Sequence, residues 1–364
     1  MDNINKSINN KTSIGLITFV GNFNYGNRLQ NYALSKIYKD LGFTSQTLQI
    51  SERPNIFRQT KNLIRKILHC EHINIEDLMS KKRIDAFNRF NNLIDIVKLD
   101  NIDKNLNDRY DYFSVGSDQV WNPTAIIYDQ NLDWYFLEFV HKNQAISVSA
   151  SIGVNDIDNK FAKRLGKSLA NYRGVSVRET QAAKILKNKC NINAEVICDP
   201  TIMLSKKEWI EVSSSCETPK TPYIFVYVLG KFGDDFKNVL SKININNRFK
   251  VVYLSDKQKD YELEAGPSEF IDLISNAKHV ITDSYHASVF SMIFKKPLTI
   301  LRRIGEHNIF SRLDELTKKY NLVDKIYNND SFDINKSSVY TNTDEIIKKE
   351  QDKFLSFLKS SLDF

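Results

Sequence analysis

Short apolar runs alternate with stretches of helical spacing along most of this chain. Residues 14–20 form a run rich in β-branched side chains and predict a first strand. A polar loop follows, Gly21-Asn22-Phe23-Asn24-Tyr25-Gly26-Asn27. Leu29, Ala33, Ile37 and Leu41 then recur at helical spacing, with Gly42 as a stop. Residues 47–50, 112–115, 145–149, 174–177 and 195–198 predict further strands. Residues 206–216 predict a helix, broken by Glu217-Thr218-Pro219-Lys220-Thr221-Pro222. A second series starts there, with strands expected at 223–229, 250–254, 279–282 and 298–301 and helices between them. Two βα series around a proline-containing connector predict an α/β protein with two doubly wound domains, 1–210 and 222–340. The last segment, 341–364, has helical periodicity and many charges, and is expected to be a closing helix packed back on the first domain. Residues 51–110 stand apart as a long, basic insert of helical pattern within the first series.

Composition narrows the class. The 364 residues are enough for two domains with ample cores. No run of about 18 apolar residues occurs, so no membrane span is expected. The polar start, MDNINKSINNKTS, lacks an apolar signal-peptide core and predicts a cytoplasmic protein. Cys70, Cys190, Cys198 and Cys216 contain no C-x-x-C pair and fit reduced thiols. The net charge of +7 is compatible with an anionic substrate, a membrane surface or nucleic acid, and decides between none of them.

The basic insert interleaves Arg53, Arg58, Lys61, Arg65 and Lys66 with Ile56, Phe57, Leu63, Ile64, Ile67 and Leu68, and Lys81, Lys82, Arg83 and Arg89 come later. Such a pattern fits either an ordinary solvated helix face or contact with an anionic membrane surface. It has no stacking platform and no recognised binding motif, so nucleic acid is not an expected partner. His69-Cys70-Glu71-His72 pairs two histidines three residues apart, yet four ligands do not converge, and no metal site is expected.

The polar motifs share one position: each follows a predicted strand. Asn24-Tyr25-Gly26-Asn27 follows the first, and Gly116-Ser117-Asp118-Gln119 follows 112–115. Ser151-Ile152-Gly153, Arg178-Glu179, Asp199-Pro200 and Asp283-Ser284-Tyr285-His286 follow four others. Ligands of open α/β sheets bind beyond these carboxyl ends, where helix N-termini favour anions. Any one motif taken alone could be a turn or a helix cap. His286, near a helix start, is either a packed histidine or a titratable group facing an anion. Asp118 is a helix cap or a reactive carboxylate. Arg178 either pairs with Glu179 or another acid, or clamps a carboxylate or phosphate. Gly26 permits unusual backbone, and Asn27 caps a helix or touches a ligand. The first loop is neither G-x-G-x-x-G nor a P-loop, so no dinucleotide or Mg-ATP site is indicated. No Ser–His–Asp order with a nucleophile elbow is present.

Together NYGNRLQNYAL (24–34), VGSDQVWNP (115–123), SVRE (176–179), DPTIML (199–204) and TDSYHASVFSMIFKKP (282–297) resemble the polysaccharide pyruvyl transferases, from about residue 14 to about residue 320. The resemblance implies a GT-B-like arrangement of two Rossmann-like domains facing a cleft. It implies transfer of the enolpyruvyl unit of phosphoenolpyruvate to two hydroxyls of a sugar in a bacterial surface polysaccharide precursor, with release of phosphate and no further cofactor. The acceptor would be a glycan or lipid-linked glycan, the latter placing the protein at the inner face of the membrane. His286 and Arg178 are the implied phosphoenolpyruvate contacts, with His286 as acid or phosphate partner, and Asp118 is the candidate base or acceptor-orienting carboxylate. Gly26, Asn27, Gln30, Ser117, Gln119, Ser284 and Tyr285 would line the cleft. Some members have Arg-Leu-His where this chain has Ser284-Tyr285-His286, and Arg302, Arg303 or Arg312 is expected to replace the missing arginine. Two other readings stand beside this one: a GT-B glycosyltransferase using a nucleotide sugar, and a non-catalytic binding protein with a degraded site.

Overall fold

A computed structural model describes residues 12–21, 24–50, 80–103, 105–126, 132–254, 263–304, 310–329 and 332–364. Two parallel sheets organise them. The first has seven strands in the order β3-β2-β1-β4-β5-β6-β7: β1 Ser13–Ile17, β2 Thr44–Ile50, β3 Ile96–Leu99, β4 Tyr112–Val115, β5 Ala145–Ala150, β6 Gly174–Val177 and β7 Glu195–Val196. The second has four in the order β11-β10-β8-β9: β8 Tyr223–Tyr227, β9 Lys250–Leu254, β10 His279–Thr282 and β11 Leu298–Ile300. Every pairing is parallel. Strand order reverses between β1 and β4 in the first sheet and between β8 and β10 in the second. These are the two switch points where an open sheet splays its loops and leaves a crevice.

The helices relevant to the site are α1 Tyr25–Asp40, α2 Lys81–Asn91, α3 Asn159–Leu169, α4 Thr180–Ile185, α5 Asp234–Ile243, α6 Pro267–Asn276, α7 Tyr285–Ile293, α8 Phe310–Lys319 and α9 Thr343–Leu362. Successive residues of a strand point to opposite faces, and the cores follow that rule. Ile14 and Leu16 pack with α1 and α9 on one face of the first sheet, while Ile17, Phe113 and Val115 pack with α3 on the other. Phe225 and Tyr227 join α6 and α7, while Ile224 and Val226 join α5. Both faces are covered, which is why β5 and β8 are buried at every position.

One apolar core runs from the α1 face of the first sheet into the α6–α7 face of the second. Tyr25, the first residue of α1, carries much of that seam. Its ring stacks on Phe270 at 4.8 Å, and its hydroxyl donates to the Ala265 carbonyl at 2.9 Å. From α2, Arg89 reaches Glu269 at 3.0 Å. The closing helix α9 returns to the first sheet. Arg173 Nε donates to the Ser361 carbonyl at 2.9 Å, and Phe354, Phe357 and Leu358 are buried there.

Several elements differ from the sequence reading. The stretch 51–110 is not a helical insert throughout, because Ile96–Leu99 is an edge strand paired with β2. Four residues, one of them lysine, give too short an alternation to announce a strand among so many charges. Within that segment Lys81–Asn91 is helical as expected, and residues 51–79 with the His69-Cys70-Glu71-His72 set lie outside the described residues. The first strand ends at Ile17, and α1 starts at Tyr25 because Asn24 caps it, its side chain accepting from Asn27 N at 3.0 Å. Asn27 is therefore inside the helix and not its cap. The expected helix at 206–216 stops at Glu211. No helix among the described residues is long and apolar enough to cross a membrane.

Candidate active site

The carboxylate of Asp199 ties the two lobes together. It follows β7 and caps the 3₁₀ turn Pro200–Met203, with Oδ1 accepting from Thr201 N at 2.9 Å and Thr201 Oγ1 at 2.7 Å. Oδ2 is left facing the crevice, where three groups meet it. Arg178 NH1, just past β6, lies at 2.6 Å, Ser117 Oγ, past β4, at 3.4 Å, and His286 Nε2, in the first turn of α7, at 3.5 Å, an ion-pair distance that leaves Nε2 without a hydrogen bond. Asp199 is fully buried. Burial alone would push its pKa up, but His286 and Arg178 hold it well below the usual carboxylate range.

Arg178 is almost as buried. Burial would weaken its charge, but Asp199 opposite raises its pKa above the ordinary arginine value. Its guanidinium lies 4.7 Å over the Tyr285 ring, the distance of a cation–π contact. Its Nε is 3.9 Å from Glu179, so Asp199 is the principal acid, and not Glu179. Nε and NH2 are buried without hydrogen-bond partners. Glu179 instead holds a loop: its Oε1 accepts from Ser151 Oγ at 2.8 Å and Ile152 N at 2.9 Å.

Arg312, on α8, approaches from the second lobe. The Gln119 amide lies 3.3 and 3.2 Å from Arg312 NH1 and NH2, and rotating it end for end lets its oxygen accept from both; Arg312 Nε is buried and unpartnered. Burial and the neighbouring Arg178 cation both draw the Arg312 pKa down. Arg178, Tyr285, Arg312 and Tyr320 wall a cavity of about 20 Å³, room for roughly one water. The Tyr320 hydroxyl there also lacks a partner. Glu179 and Glu315 line it too, and Glu179 Oε2 is likewise buried without a hydrogen-bond partner, so two cations and two carboxylates surround this space. On its rim, Glu315 of α8 accepts from Thr180 N at 2.8 Å and Thr180 Oγ1 at 2.5 Å, joining the lobes again.

On the opposite wall, Asn27 Nδ2 donates to Asp118 Oδ2 at 3.0 Å. Gly26 lies flat against the His286 ring. A Cβ built there would come within 1.9 Å of Nδ1, so the lobes close on His286 only because residue 26 has no side chain.

The remaining expected site residues divide. Ser117 is buried and turned to Asp199. Gln30 is wholly buried, its Oε1 accepting from Ser117 N at 3.0 Å and its Nε2 donating to Thr18 Oγ1 at 2.9 Å. Both ends of that amide hold the 117 loop, so Gln30 supports the wall and offers nothing to a ligand. Ser284 takes the N-cap of α7, its Oγ accepting from Ala287 N at 3.5 Å, so the position where the resemblance points to arginine is a cap here. Arg303 is bound to Asp283, Nε to Oδ2 at 3.1 Å. Arg302 has a side chain 60% exposed and lies 3.9 Å from Asp314. Of the three arginines expected to replace the missing one, Arg312 faces Arg178.

Two site residues escaped the sequence reading. Asp199 stood in a noted motif at the end of a strand but carried no assigned role. Arg28 is fully buried beside Asn27, and nothing in the helical spacing distinguishes it from a solvated arginine. Among the described residues, no group of three or more His, Cys, Asp or Glu is placed to hold a metal ion.

A family model described as "Polysaccharide pyruvyl transferase" matches residues 24–304. No curated protein matches the chain. Among solved structures, the chain is similar to the UDP-GlcNAc 2-epimerase of Methanocaldococcus jannaschii in complex with UDP-GlcNAc and UDP, at 13% identity, with 95% of this chain and 99% of that one covered and a TM-score of 0.42. It is also similar to the glycosyltransferase SnogD from Streptomyces nogalater, at 10% identity, covering 95% and 96%, with a TM-score of 0.38.

Proposed function

The chain belongs to the polysaccharide pyruvyl transferase family, and we propose that it moves the enolpyruvyl unit of phosphoenolpyruvate onto two hydroxyls of one sugar of a bacterial surface polysaccharide precursor. One observation carries the reading. An imidazole from one lobe and a guanidinium from the other share Asp199, beside buried arginine nitrogens that have no partner. Phosphoenolpyruvate brings a carboxylate and a phosphate, and Arg178 with Arg312 supplies the matching donors. His286, held over Asp199, is the acid that protonates the enol methylene. The adjacent carbon gains cationic character, and a sugar hydroxyl attacks it as Asp118 takes the hydroxyl proton. The carbon–oxygen bond to phosphate then breaks with its electron pair, and the second hydroxyl closes the ring. Of the two hydroxyl protons, one balances the proton now on the methyl group and one leaves on phosphate. The products are a cyclic pyruvate ketal and hydrogen phosphate.

A nucleotide-sugar donor is the weaker reading. Its ribose would look for a carboxylate past β10, but Asp283 there is already occupied. It accepts from Leu229 N at 2.7 Å, Gly230 N at 2.8 Å and Arg303. Phosphoenolpyruvate at 100 times its Kd should therefore stabilise the protein by about 2.7 kcal/mol, read as a rise in Tm, and UDP sugars should not. The reverse result would favour the glycosyltransferase.

Two variants sharpen the assignment. Arg312→Ala should raise the Kd for phosphoenolpyruvate roughly 10- to 100-fold, the worth of one charge-assisted contact at about 1.5–3 kcal/mol. Calorimetric titration checks this, and an unchanged Kd removes Arg312 from the donor site. Gly26→Ala should favour α1 locally, since alanine is the better helix former, yet lower turnover by about 100-fold because His286 must shift by an ångström or more. Phosphate release with intact circular dichroism tests it, and parental turnover would show that His286 tolerates the displacement.

A further inference from the structure

We propose that Arg28 is a positioning residue for this reaction: its guanidinium fixes the Asn27 amide, and that amide fixes the Asp118 carboxylate in the crevice. The inference rests on the reading of Asp118 as the base.

Arg28 sits in the first turns of α1 with no exposed surface. Its Nε and NH2 converge on Asn27 Oδ1 at 2.9 and 2.7 Å, and NH2 also donates to the Phe19 carbonyl. An amide whose oxygen is gripped by two donors can present only its nitrogen on the other side. That nitrogen meets Asp118 Oδ2 at 3.0 Å. The other carboxylate oxygen accepts from Gln119 N at 2.8 Å, so both ends of Asp118 are set.

Burying a guanidinium is costly, and apolar residues of similar volume often serve a core as well or better. Here burial pulls the Arg28 pKa down to about 10, against the opposing pull of Asp118. NH1 remains unpartnered. A buried cation with incomplete bonding is a poor stabiliser but a firm director of the amide beside it. The charged groups that face Asp118 are Arg28 from α1, Arg178 past β6 and Arg312 from α8. Arg28 is the one linked to it through a fixed hydrogen-bonded neighbour.

The test follows the Asp118 carboxyl by ¹³C NMR in full-length protein labelled at aspartate, with Asp118→Asn to assign the signal. Turnover is read in parallel as phosphate released from phosphoenolpyruvate with a panel of methyl hexopyranosides. In Arg28→Met the assigned Asp118 carboxyl signal should move or broaden because the amide that holds it is released, and kcat should fall about tenfold or more at constant KM for phosphoenolpyruvate. Arg28→Lys keeps the charge without the fork, so kcat should fall about tenfold at constant KM for phosphoenolpyruvate. An Asp118 signal and a kcat both unchanged in Arg28→Met overturn the inference, as does parental kcat in Arg28→Lys should the Met variant not fold. Full turnover in Asp118→Asn overturns the underlying reading instead, and the NMR arm keeps the two failures apart.

Discussion

Replacing His286 by alanine should lower ketal formation by about 10²–10⁴-fold, the usual contribution of a positioned acid. The fold should survive. The ring lies in the seam between the lobes with 13% of its side chain exposed, and Asp199 keeps Arg178 at 2.6 Å without it. The kinetic pattern separates two roles. If the imidazole protonates the methylene, kcat falls while KM for phosphoenolpyruvate holds, because the interaction is made only in the transition state. If it grips the phosphate throughout, KM rises as well. Phosphate release over a range of phosphoenolpyruvate concentrations, with Tm as a control, reads both, and parental kcat and KM in His286→Ala would remove this residue from the mechanism.

Much of this site was legible because α/β folds deliver chemistry to one place. A run such as Val280-Ile281-Thr282 that continues into Asp283-Ser284 announces a strand leading into a loop at the sheet's carboxyl edge. The motifs carrying Asn27, Asp118, Arg178, Asp199 and His286 all do so, and the structure brings these five to one crevice. Partners were not legible. Arg178 has Glu179 as its chain neighbour, but the strand geometry turns Glu179 toward the 151–153 loop and Arg178 toward Asp199, twenty-one residues on. Which arginine replaces the one missing before His286 depended on how α8 packs, and neither the spacing nor the charge of Arg302, Arg303 and Arg312 distinguishes them. The edge strand β3 was hidden for a different reason: its four residues include Lys98 and follow a charged helical stretch, whereas the equally short strands at 112–115 and 174–177 carry no charge.

Asp199→Ala should be the most damaging single change to the fold in this region. It leaves the Arg178 cation buried and without its counter-charge, a situation that costs about 3–5 kcal/mol when one partner of a buried pair is removed. Turnover should be lost as well, because Arg178 and His286 both lose their shared anchor. Asp199→Asn is the gentler probe, since it keeps the shape and removes the charge, and it gives a sign that can be checked against pH. The carboxyl of Asp199 is held well below its unfolded value of about 3.9. A depressed carboxylate contributes stability that is fully present above the unfolded pKa and disappears as pH falls through the folded one. The parent should therefore exceed Asp199→Asn in stability at about pH 5, and the margin should shrink as the solution is acidified below about pH 4. Other carboxylates titrate in both proteins and cancel in the difference. Thermal midpoints measured side by side across that range test the assignment. A margin that stays level down to pH 3, or grows, would mean that the charge on Asp199 is not what holds the two lobes' cation and imidazole together.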